Sequence, residues 1–183
     1  GSLTLSEVRR FQNLPLKDQD SLQWDIPRLY QETLEGLRAV GGYEEAIDSI
    51  SCDSWAADYL LFESDSSLIT PTYHYADPRA REGMQKVLAK VPSAAIYQET
   101  GVCPIPANTL FQLATEKARR LHRAQHLLPV ADAFNYLLAG VPRCELSQAS
   151  TTQLYNPVTR TWSNRLLNTL DLPPKLLPPL VPA

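Results

Sequence analysis

The feature that most constrains the fold of this chain is a run of apolar residues that recurs every three or four positions between residues 26 and 40. Such spacing places the apolar side chains on one face of an α-helix. That face comprises Ile26, Leu29, Tyr30, Thr33, Leu34, Leu37 and Val40. Asp25 precedes the run and can accept the free N–H groups of a first turn that tolerates Pro27, while Gly41-Gly42 follows it. The sequence therefore predicts a helix over residues 26–40.

Strand-like segments flank this helix. Residues 3–12 alternate apolar and polar side chains at Leu3 and Leu5, with Val8 and Phe11 out of strict phase, and predict a strand. Residues 47–53 and 57–63 predict two more, and Leu68-Ile69 is expected to pair back across a turn at 64–67. A helix, a parallel-type strand and a hairpin strand in this order predict the α/β fold class.

The remainder of the chain has the signals of short capped helices. The sequence predicts helices that begin at Asp77-Pro78, Ser93, Asn108, Asp132 and Ser163, two of which end at Gly101 and Gly140. The proline-rich segment 172–180 predicts a helical turn followed by an extended exit. A length of 183 residues fits one domain better than two.

Composition and charge exclude several classes of function. The net charge of −3 gives no electrostatic reason to expect a nucleic acid or an anionic membrane as partner. No apolar run approaches the roughly 18 residues of a membrane span. Three cysteines without close spacing argue against a disulfide framework and against a zinc site, so we expect a cytoplasmic protein. The sequence has neither a P-loop nor a Gly-x-Gly-x-x-Gly turn, and its histidines lack metal-ligand spacing.

Three segments carry side chains suited to a ligand. Residues 53–58 place Trp55 beside carboxylates after a predicted strand, where an indole face and charged acceptors would suit a sugar. Residues 73–79 hold two tyrosines, Asp77 and Arg79, and residues 104–110 lead into Asn108. Each segment also has a plain structural reading, as a buried strand end, a helix start and a helix cap. By themselves these segments indicate a polar cleft in an α/β domain.

Taken in order, these segments resemble the rhamnulokinase branch of the FGGY carbohydrate kinases. The resemblance rests on residues 50–59, 73–79, 96–101, 108–113 and 131–140, and on Ala149-Ser150-Thr151-Thr152-Gln153-Leu154, which is similar to that branch's Ala-Ser/Thr-Thr-Thr-Gln-Leu. Three positions depart from the pattern. Ala56 stands where the branch has glycine, residues 103–107 lack its aromatic side chains, and Ser51-Cys52 replaces a Gly-Ile/Val pair. The natural sugar is therefore left open.

The resemblance implies an incomplete actin-like, ribonuclease-H-like N-terminal lobe. Residues 3–183 would form a partial sugar-binding domain, and Gly1-Ser2 resemble the remnant of a removed tag. The implied reaction transfers the γ-phosphoryl group of Mg-ATP to the primary hydroxyl of a ketose such as L-rhamnulose. The phosphate-binding turn expected before Leu3, and the aspartate base and nucleotide lobe expected beyond Ala183, would lie in the missing remainder of the kinase.

The same resemblance assigns site residues. Trp55 and Ala56 would line the ketose, with Asp77, Arg79 and Asn108 near it or supporting that wall. No catalytic residue and no metal ligand are expected in this chain. The intact enzyme would need ATP and Mg²⁺, whereas the chain alone is expected to bind neither and to be inactive.

Two other readings and one structural consequence remain. The native protein could be a non-catalytic relic that binds a sugar or a partner protein, or an unrelated α/β protein in which Asp53 and Asp77 face each other across a metal-bearing cleft. A sheet without its first strands would expose an unpaired edge. We expect that edge to be paired in a homodimer or covered by the N-terminal segment.

Overall fold

The computed structural model describes residues 2–41 and 47–182, which form short strands and helices around a buried two-stranded ribbon. The strands are β1 (Leu16–Asp18), β2 (Ser21–Trp24), β3 (Tyr59–Phe62), β4 (Thr72–Tyr73), β5 (His126–Pro129), β6 (Cys144–Glu145), β7 (Tyr155–Asn156), β8 (Thr161–Trp162) and β9 (Leu180–Val181). The helices are α1 (Ile26–Val40), α2 (Arg79–Leu88), α3 (Ser93–Thr100), α4 (Thr109–Leu113), α5 (Ala118–Arg123), α6 (Val130–Ala139), α7 (Leu146–Thr151) and α8 (Asn164–Thr169), with a 3₁₀ turn at Pro174–Leu176.

The ribbon of β3 and β5 lies at the centre of the core. The two strands run antiparallel, with Leu60 opposite Leu128 and Leu61 opposite Leu127. Because side chains alternate along a strand, Tyr59 and Leu61 pack with α2, α3, α4 and α8, while Leu60 and Phe62 pack with α1 and α6. All four residues of β3 are buried, as expected for a strand that is covered on both faces. The mixed α/β class predicted from the sequence is confirmed.

Helix α1 forms as predicted. The Asp25 side chain accepts a hydrogen bond from the Arg28 amide at 3.1 Å, and Gly41 follows the last helical residue. Ile26 and Leu29 are buried against the ribbon, whereas Leu34 and Leu37 are half-buried. The helix therefore covers the core mainly with its first turns. Gly42, the second glycine of the predicted stop, lies outside the described residues.

Two of the predicted strands are wrong. Residues 3–12 and 47–53 are not strands, and among the described residues neither segment makes a backbone hydrogen bond with another segment. A strand requires a neighbouring backbone, and an alternating pattern alone cannot supply one. Leu3 and Leu5 are each 86% exposed. Within the described chain, the parallel pairing is that of β6 with β9, not of a strand at 47–53.

The hairpin next to β3 is confirmed, while β5 is a strand that the sequence does not predict. Leu68 bridges Phe62, and the Ile69 amide donates to the Leu61 carbonyl at 2.8 Å. Strand β5 has only four residues, His126 to Pro129, too few for periodicity to distinguish a strand from a buried helix segment.

Most of the later helices form where the sequence predicts them. Helices α2, α3, α6 and α8 are confirmed, and the Ser163 hydroxyl accepts from the Leu166 amide at 3.3 Å. Gly101 and Gly140 end α3 and α6 at φ of +71° and +73°, a conformation that glycine adopts without steric cost. The single helix predicted after Asn108 is instead the separate helices α4 and α5. No helix of the described residues is both long and apolar enough to cross a bilayer.

Candidate functional site

The candidate site is built around the turn at residues 53–58, which leads into β3. Ala56 is exposed at this turn and Trp55 is half-buried. Among the described residues, the Asp53 carboxylate accepts only a local hydrogen bond, from the Ser54 amide at 2.9 Å. The turn follows an extended segment rather than the end of a strand, so contacts from other parts of the chain must hold its shape.

Asp58 supplies most of those contacts. Its Oδ2 accepts hydrogen bonds from the indole N–H of Trp24 at 2.5 Å, from that of Trp55 at 2.9 Å and from the Tyr75 amide at 3.2 Å. Its Oδ1 accepts from the Gln112 side-chain amide at 2.9 Å. Asp58 is only 1% exposed, and this burial raises the pKa of its carboxyl, while the hydrogen bonds from both indoles and from Gln112 oppose the rise.

A row of stacked rings starts at the turn. The Trp55 ring lies 4.4 Å from the Trp24 ring, which lies 4.2 Å from His74, and His74 lies 4.2 Å from Tyr75, all measured between centroids. The Ala76 amide donates to Nδ1 of His74 at 2.9 Å, and burial lowers the pKa of His74, so the imidazole is held neutral. Tyr75 is 42% exposed at the end of the row. The row thus gives the site an aromatic surface.

Helix α4 fixes the other side of the turn. The Thr109 hydroxyl donates to the Ala57 carbonyl at 2.6 Å, and the Gln112 amide donates to the same carbonyl at 3.3 Å and to the Ala107 carbonyl at 2.8 Å. Ala57 itself has φ of +73°, in the left-handed region that residues with a Cβ rarely adopt. The hydrogen bonds from α4 hold this conformation in place.

Asp77 is engaged by the protein itself. Its carboxylate accepts from the Ser21 hydroxyl at 3.0 Å, the Leu22 amide at 2.7 Å and the Arg79 amide at 2.9 Å. The residue is 5% exposed. It therefore ties β2 to the segment before α2 and caps that helix.

Arg79 is also committed to internal contacts. Its Nη1 donates to the Gln112 carbonyl and to the Thr115 hydroxyl, both at 3.0 Å, and lies 3.6 Å from the Glu116 carboxylate. The guanidinium stacks 3.8 Å from the centroid of the Tyr73 ring. Its Nε is buried and has no hydrogen-bond partner within the described part of the chain. Arg79 joins α2 to α4.

Asn108 connects two of the segments that suggested a ligand site. Its Oδ1 accepts from the Ile105 amide at 2.8 Å, and its Nδ2 donates to the Thr151 carbonyl at 3.2 Å. The side chain makes no capping bond to α4, although Asn108 occupies the capping position. The Leu110 amide also donates to the Thr152 carbonyl at 3.0 Å. Residues 104–110 and 149–154 are therefore joined.

The five residues assigned from the sequence do not share one cavity. Trp55 lines a groove of about 370 Å³ beside Phe11, Leu29 and Phe134. Asp77 and Arg79 line a separate polar cleft of about 690 Å³. Ala56 and Asn108 line neither. What joins Trp55, Tyr75 and the support from α4 is Asp58, through its four hydrogen bonds.

Sequence reasoning did not single out Asp58, Gln112 and Trp24 as site residues. Asp58 and Gln112 both belong to segments that carried the resemblance. Their place in those segments is the sequence signal that could have identified them. Trp24 had no such signal, because its role depends on contact with a distant segment.

The described residues do not fit a metal site. Across residues 2–41 and 47–182 there is no group of three or more His, Cys, Asp or Glu side chains that could hold a metal ion. Asp53 and Asp77 do not face each other over such a centre.

Comparison with known proteins relates this geometry to a family. Residues 5–183 match the model of the N-terminal domain of the FGGY family of carbohydrate kinases. The chain is 38% identical over 178 residues to the rhamnulokinase of Pectobacterium carotovorum subsp. carotovorum (strain PC1), covering 96% of this chain and 36% of that protein. It is 33% identical over 175 residues to the rhamnulokinase of Bacteroides thetaiotaomicron, with 94% and 36% covered.

Solved structures share the fold. The xylulose kinase of Lactobacillus acidophilus superposes with a TM-score of 0.82 at 21% identity, over 92% of this chain and 36% of that one. The glycerol kinase of Plasmodium falciparum with ADP superposes with a TM-score of 0.72 at 14% identity, over 92% and 36%. At these identities the likeness concerns the fold alone. The chain spans about a third of the length of the relatives it matches.

Proposed function

The chain belongs to the FGGY family of carbohydrate kinases, and from this premise we propose that it forms part of the sugar-binding wall of an ATP-dependent kinase. The proposed acceptor is a ketose such as L-rhamnulose, phosphorylated at its primary hydroxyl, because the curated relatives cited above are named rhamnulokinase. The observation that carries the proposal is the turn at Trp55 and Ala56, which presents an aromatic side chain and a small exposed residue on a frame of buried hydrogen bonds.

The proposed wall divides the site residues into two groups. The ring of Trp55 would pack on the C–H side of the sugar, and Ala56 would line the ketose beside it. Asp77, Arg79 and Asn108 would support the wall without contacting the sugar, because protein groups already bind the Asp77 carboxylate, the terminal nitrogens of Arg79 and the Asn108 amide. Ala56 also bears on specificity, since a methyl group there narrows the space beside the Trp55 ring.

The rest of the reaction is assigned to parts of the kinase beyond this chain. Residues 3–183 would be a partial N-terminal domain, and the remainder of the kinase would supply the aspartate base and the site for ATP and Mg²⁺. Phosphoryl transfer depends mainly on positioning and charge stabilisation, and a wall for the acceptor meets only the first requirement. We therefore expect the chain alone to be inactive and the whole enzyme to act in the cytoplasm, where ATP is supplied.

The proposal is tested with the chain and with a longer protein that contains it. Titration of the chain with L-rhamnulose, followed by tryptophan fluorescence, should give saturable binding that Trp55→Ala removes. Trp162→Phe is the control and should leave the binding in place, because the Trp162 indole donates to the Pro178 carbonyl and not to Asp58. The longer protein should release ADP from Mg-ATP with one ketose of a panel, and the chain should release none. Absence of any ketose response in both proteins would contradict the proposal.

A non-catalytic sugar- or protein-binding relic is the second candidate. It is favoured by the exposed apolar side chains on segments without backbone partners in the described residues, namely Leu3, Leu5, Ile47 and Ile50. Such a surface would suit a second copy of the chain, paired as a homodimer along the extended segments. Sedimentation at several concentrations would detect the dimer. A longer protein that binds a ketose and never releases ADP would establish the relic.

A further inference from the structure

The carboxylate of Asp58 is the point at which the candidate sugar wall is assembled. Its four hydrogen-bond donors come from β2, from the turn, from the segment before α2 and from α4; they are Trp24, Trp55, Tyr75 and Gln112. The side chain is 1% exposed, so it cannot itself contact a sugar in solution. Its contribution to the wall must therefore pass through the groups it holds.

The donor set requires two acceptor oxygens at position 58. A carboxylate offers acceptors on both oxygens, whereas an asparagine side chain offers one oxygen and one N–H₂ group. In an Asp58→Asn chain with the new amide oxygen toward the indoles, the new N–H₂ group would face the donor amide of Gln112. The opposite orientation of the new side chain would turn its N–H₂ group toward the indole N–H groups. Either orientation therefore sets one donor against another.

Gln112 cannot relieve this conflict by turning over. Its side-chain amide is also held by the Ala57 and Ala107 carbonyls, at 3.3 and 2.8 Å. Its Oε1 accepts from the Arg79 guanidinium at 3.3 Å. A flip of the Gln112 amide would lose these bonds, so the arrangement selects a carboxylate as its acceptor.

We propose that Asp58 is a positioning residue of the sugar wall: by accepting the indole N–H of Trp55 beside that of Trp24, it sets the plane in which the Trp55 ring meets the ketose. This inference rests on the proposed function. It adds that the affinity for the sugar depends on the N–H anchor of Trp55 and not only on its aromatic face.

The first measurement uses the chain as it is. Trp24 and Trp55 point at one oxygen from 2.5 and 2.9 Å. Each proton then lies about 2 Å from that oxygen, so the two indole protons lie within about 4 Å of each other. We expect a nuclear Overhauser effect between them. The indole signal of Trp162, which donates to the Pro178 carbonyl, serves as an internal control and should show none.

Two variants then separate the anchor from the ring. Trp55→Phe keeps an aromatic face and removes the N–H, and Asp58→Asn keeps the shape and removes one acceptor. We expect each variant to raise the dissociation constant for L-rhamnulose at least about fivefold. The reason is that the loss of a hydrogen bond to a charged group leaves the orientation of the Trp55 ring unfixed. Asp58→Asn should also shift the Trp24 indole signal. Asp65→Asn is the matched control, because within the described residues the partner of the Asp65 carboxylate is its near neighbour Ser67, whose amide donates to it at 3.0 Å.

The outcomes are distinguishable. An absent Overhauser effect, or a Trp55→Phe chain that binds L-rhamnulose as the wild type does, would overturn the role of Asp58. Should Asp58→Asn fail to fold, Trp55→Phe still decides, because Asp58 keeps its other three donors in that variant. A wild-type chain whose Trp55 signal does not respond to the ketose would overturn the proposed function, and the positioning role at the sugar with it, even if the Overhauser effect is present.

Discussion

Gly83 of α2 lies directly against the backbone of Phe111 in α4: a Cβ atom built at Gly83 would sit 1.9 Å from the Phe111 carbonyl oxygen. That distance is far below any contact that two atoms tolerate. Phe111 is fully buried, and α4 carries the Thr109 and Gln112 side chains that hold the candidate turn. The close approach of these helices therefore determines where the turn is placed.

Replacing Gly83 with alanine should separate α2 from α4. We expect Gly83→Ala to lower the free energy of unfolding by more than about 2 kcal/mol, because overpacking a tight contact forces the backbone apart. Gly36→Ala is the matched control in α1, where the nearest atom to the new methyl group is the Arg9 Cβ at 3.8 Å. There alanine should stabilise by about 1 kcal/mol, as it does within helices. Urea unfolding measures both, and equal effects would contradict the packing.

Ala57 carries a backbone conformation that suits glycine better. At φ of +73°, a residue with a Cβ atom is strained by about 1–2 kcal/mol, and glycine would remove this strain. Glycine also gives the unfolded chain more conformational entropy, which offsets part of that gain. We expect Ala57→Gly to raise the free energy of unfolding by about 0.5–1 kcal/mol. Gly140→Ala tests the reverse change at the same φ with no atom within 4 Å, and should destabilise. A destabilised Ala57→Gly chain would show that the methyl group matters more than the backbone.

A substitution at Arg79 tests whether this residue supports the wall or contacts the sugar. Its guanidinium bonds Gln112 and Thr115 and stacks on Tyr73, and lysine can reproduce neither the fork nor the stack. We expect Arg79→Lys to lower the free energy of unfolding by about 2 kcal/mol. The dissociation constant of the folded chain for L-rhamnulose should not change.

The control for that experiment is Arg81→Lys, at an exposed position of the same helix. It should alter neither stability nor binding. A selective loss of ketose affinity in a fully folded Arg79→Lys chain would instead mean that Arg79 contacts the sugar.

Glu99 should make the free energy of unfolding depend on pH. Hydrogen bonds from the Ser163 hydroxyl at 2.6 Å and the Asn156 amide at 3.1 Å hold the pKa of Glu99 below its ordinary value. Because the folded pKa is lower than the unfolded one, this stabilisation is present above the ordinary glutamate pKa and is lost as pH falls through the folded pKa. Glu99→Gln should thus destabilise most near neutral pH and least in acid.

Urea midpoints of the two chains over a series of pH values measure that difference. The control variant is Glu82→Gln, which removes an exposed carboxylate that is paired with Lys86 at 2.7 Å. A wild-type advantage that stays constant from neutral pH into acid would contradict the expected linkage.

The elements that sequence patterns predicted correctly are those encoded by neighbouring residues. Helix α1 has its cap, its apolar stripe and its stop within residues 25–41, and α3 and α6 end at glycines that adopt the left-handed conformation. These signals act over one or two turns, so they need no knowledge of the rest of the molecule.

The strand predictions show where such local reasoning stops. Residues 3–12 and 47–53 have strand-like patterns, yet neither pairs with another described segment. Strand β5 pairs along its whole length with β3, although its sequence is too short to reveal it. Strand pairing depends on two segments, so the pattern of one segment is not sufficient to predict it.

The sequence by itself determined most of the helices, the α/β class and the segments from which the candidate wall is made, because capping, periodicity and motif order are written along the chain. Only the tertiary structure decided which of those side chains are buried in hydrogen-bond networks and which face solvent. Asp58 and Gln112 meet through segments far apart in sequence, while Asp77, Arg79 and Asn108 are occupied by protein partners. Buried polar groups must find partners wherever the fold brings them, and those partners are set by packing in three dimensions.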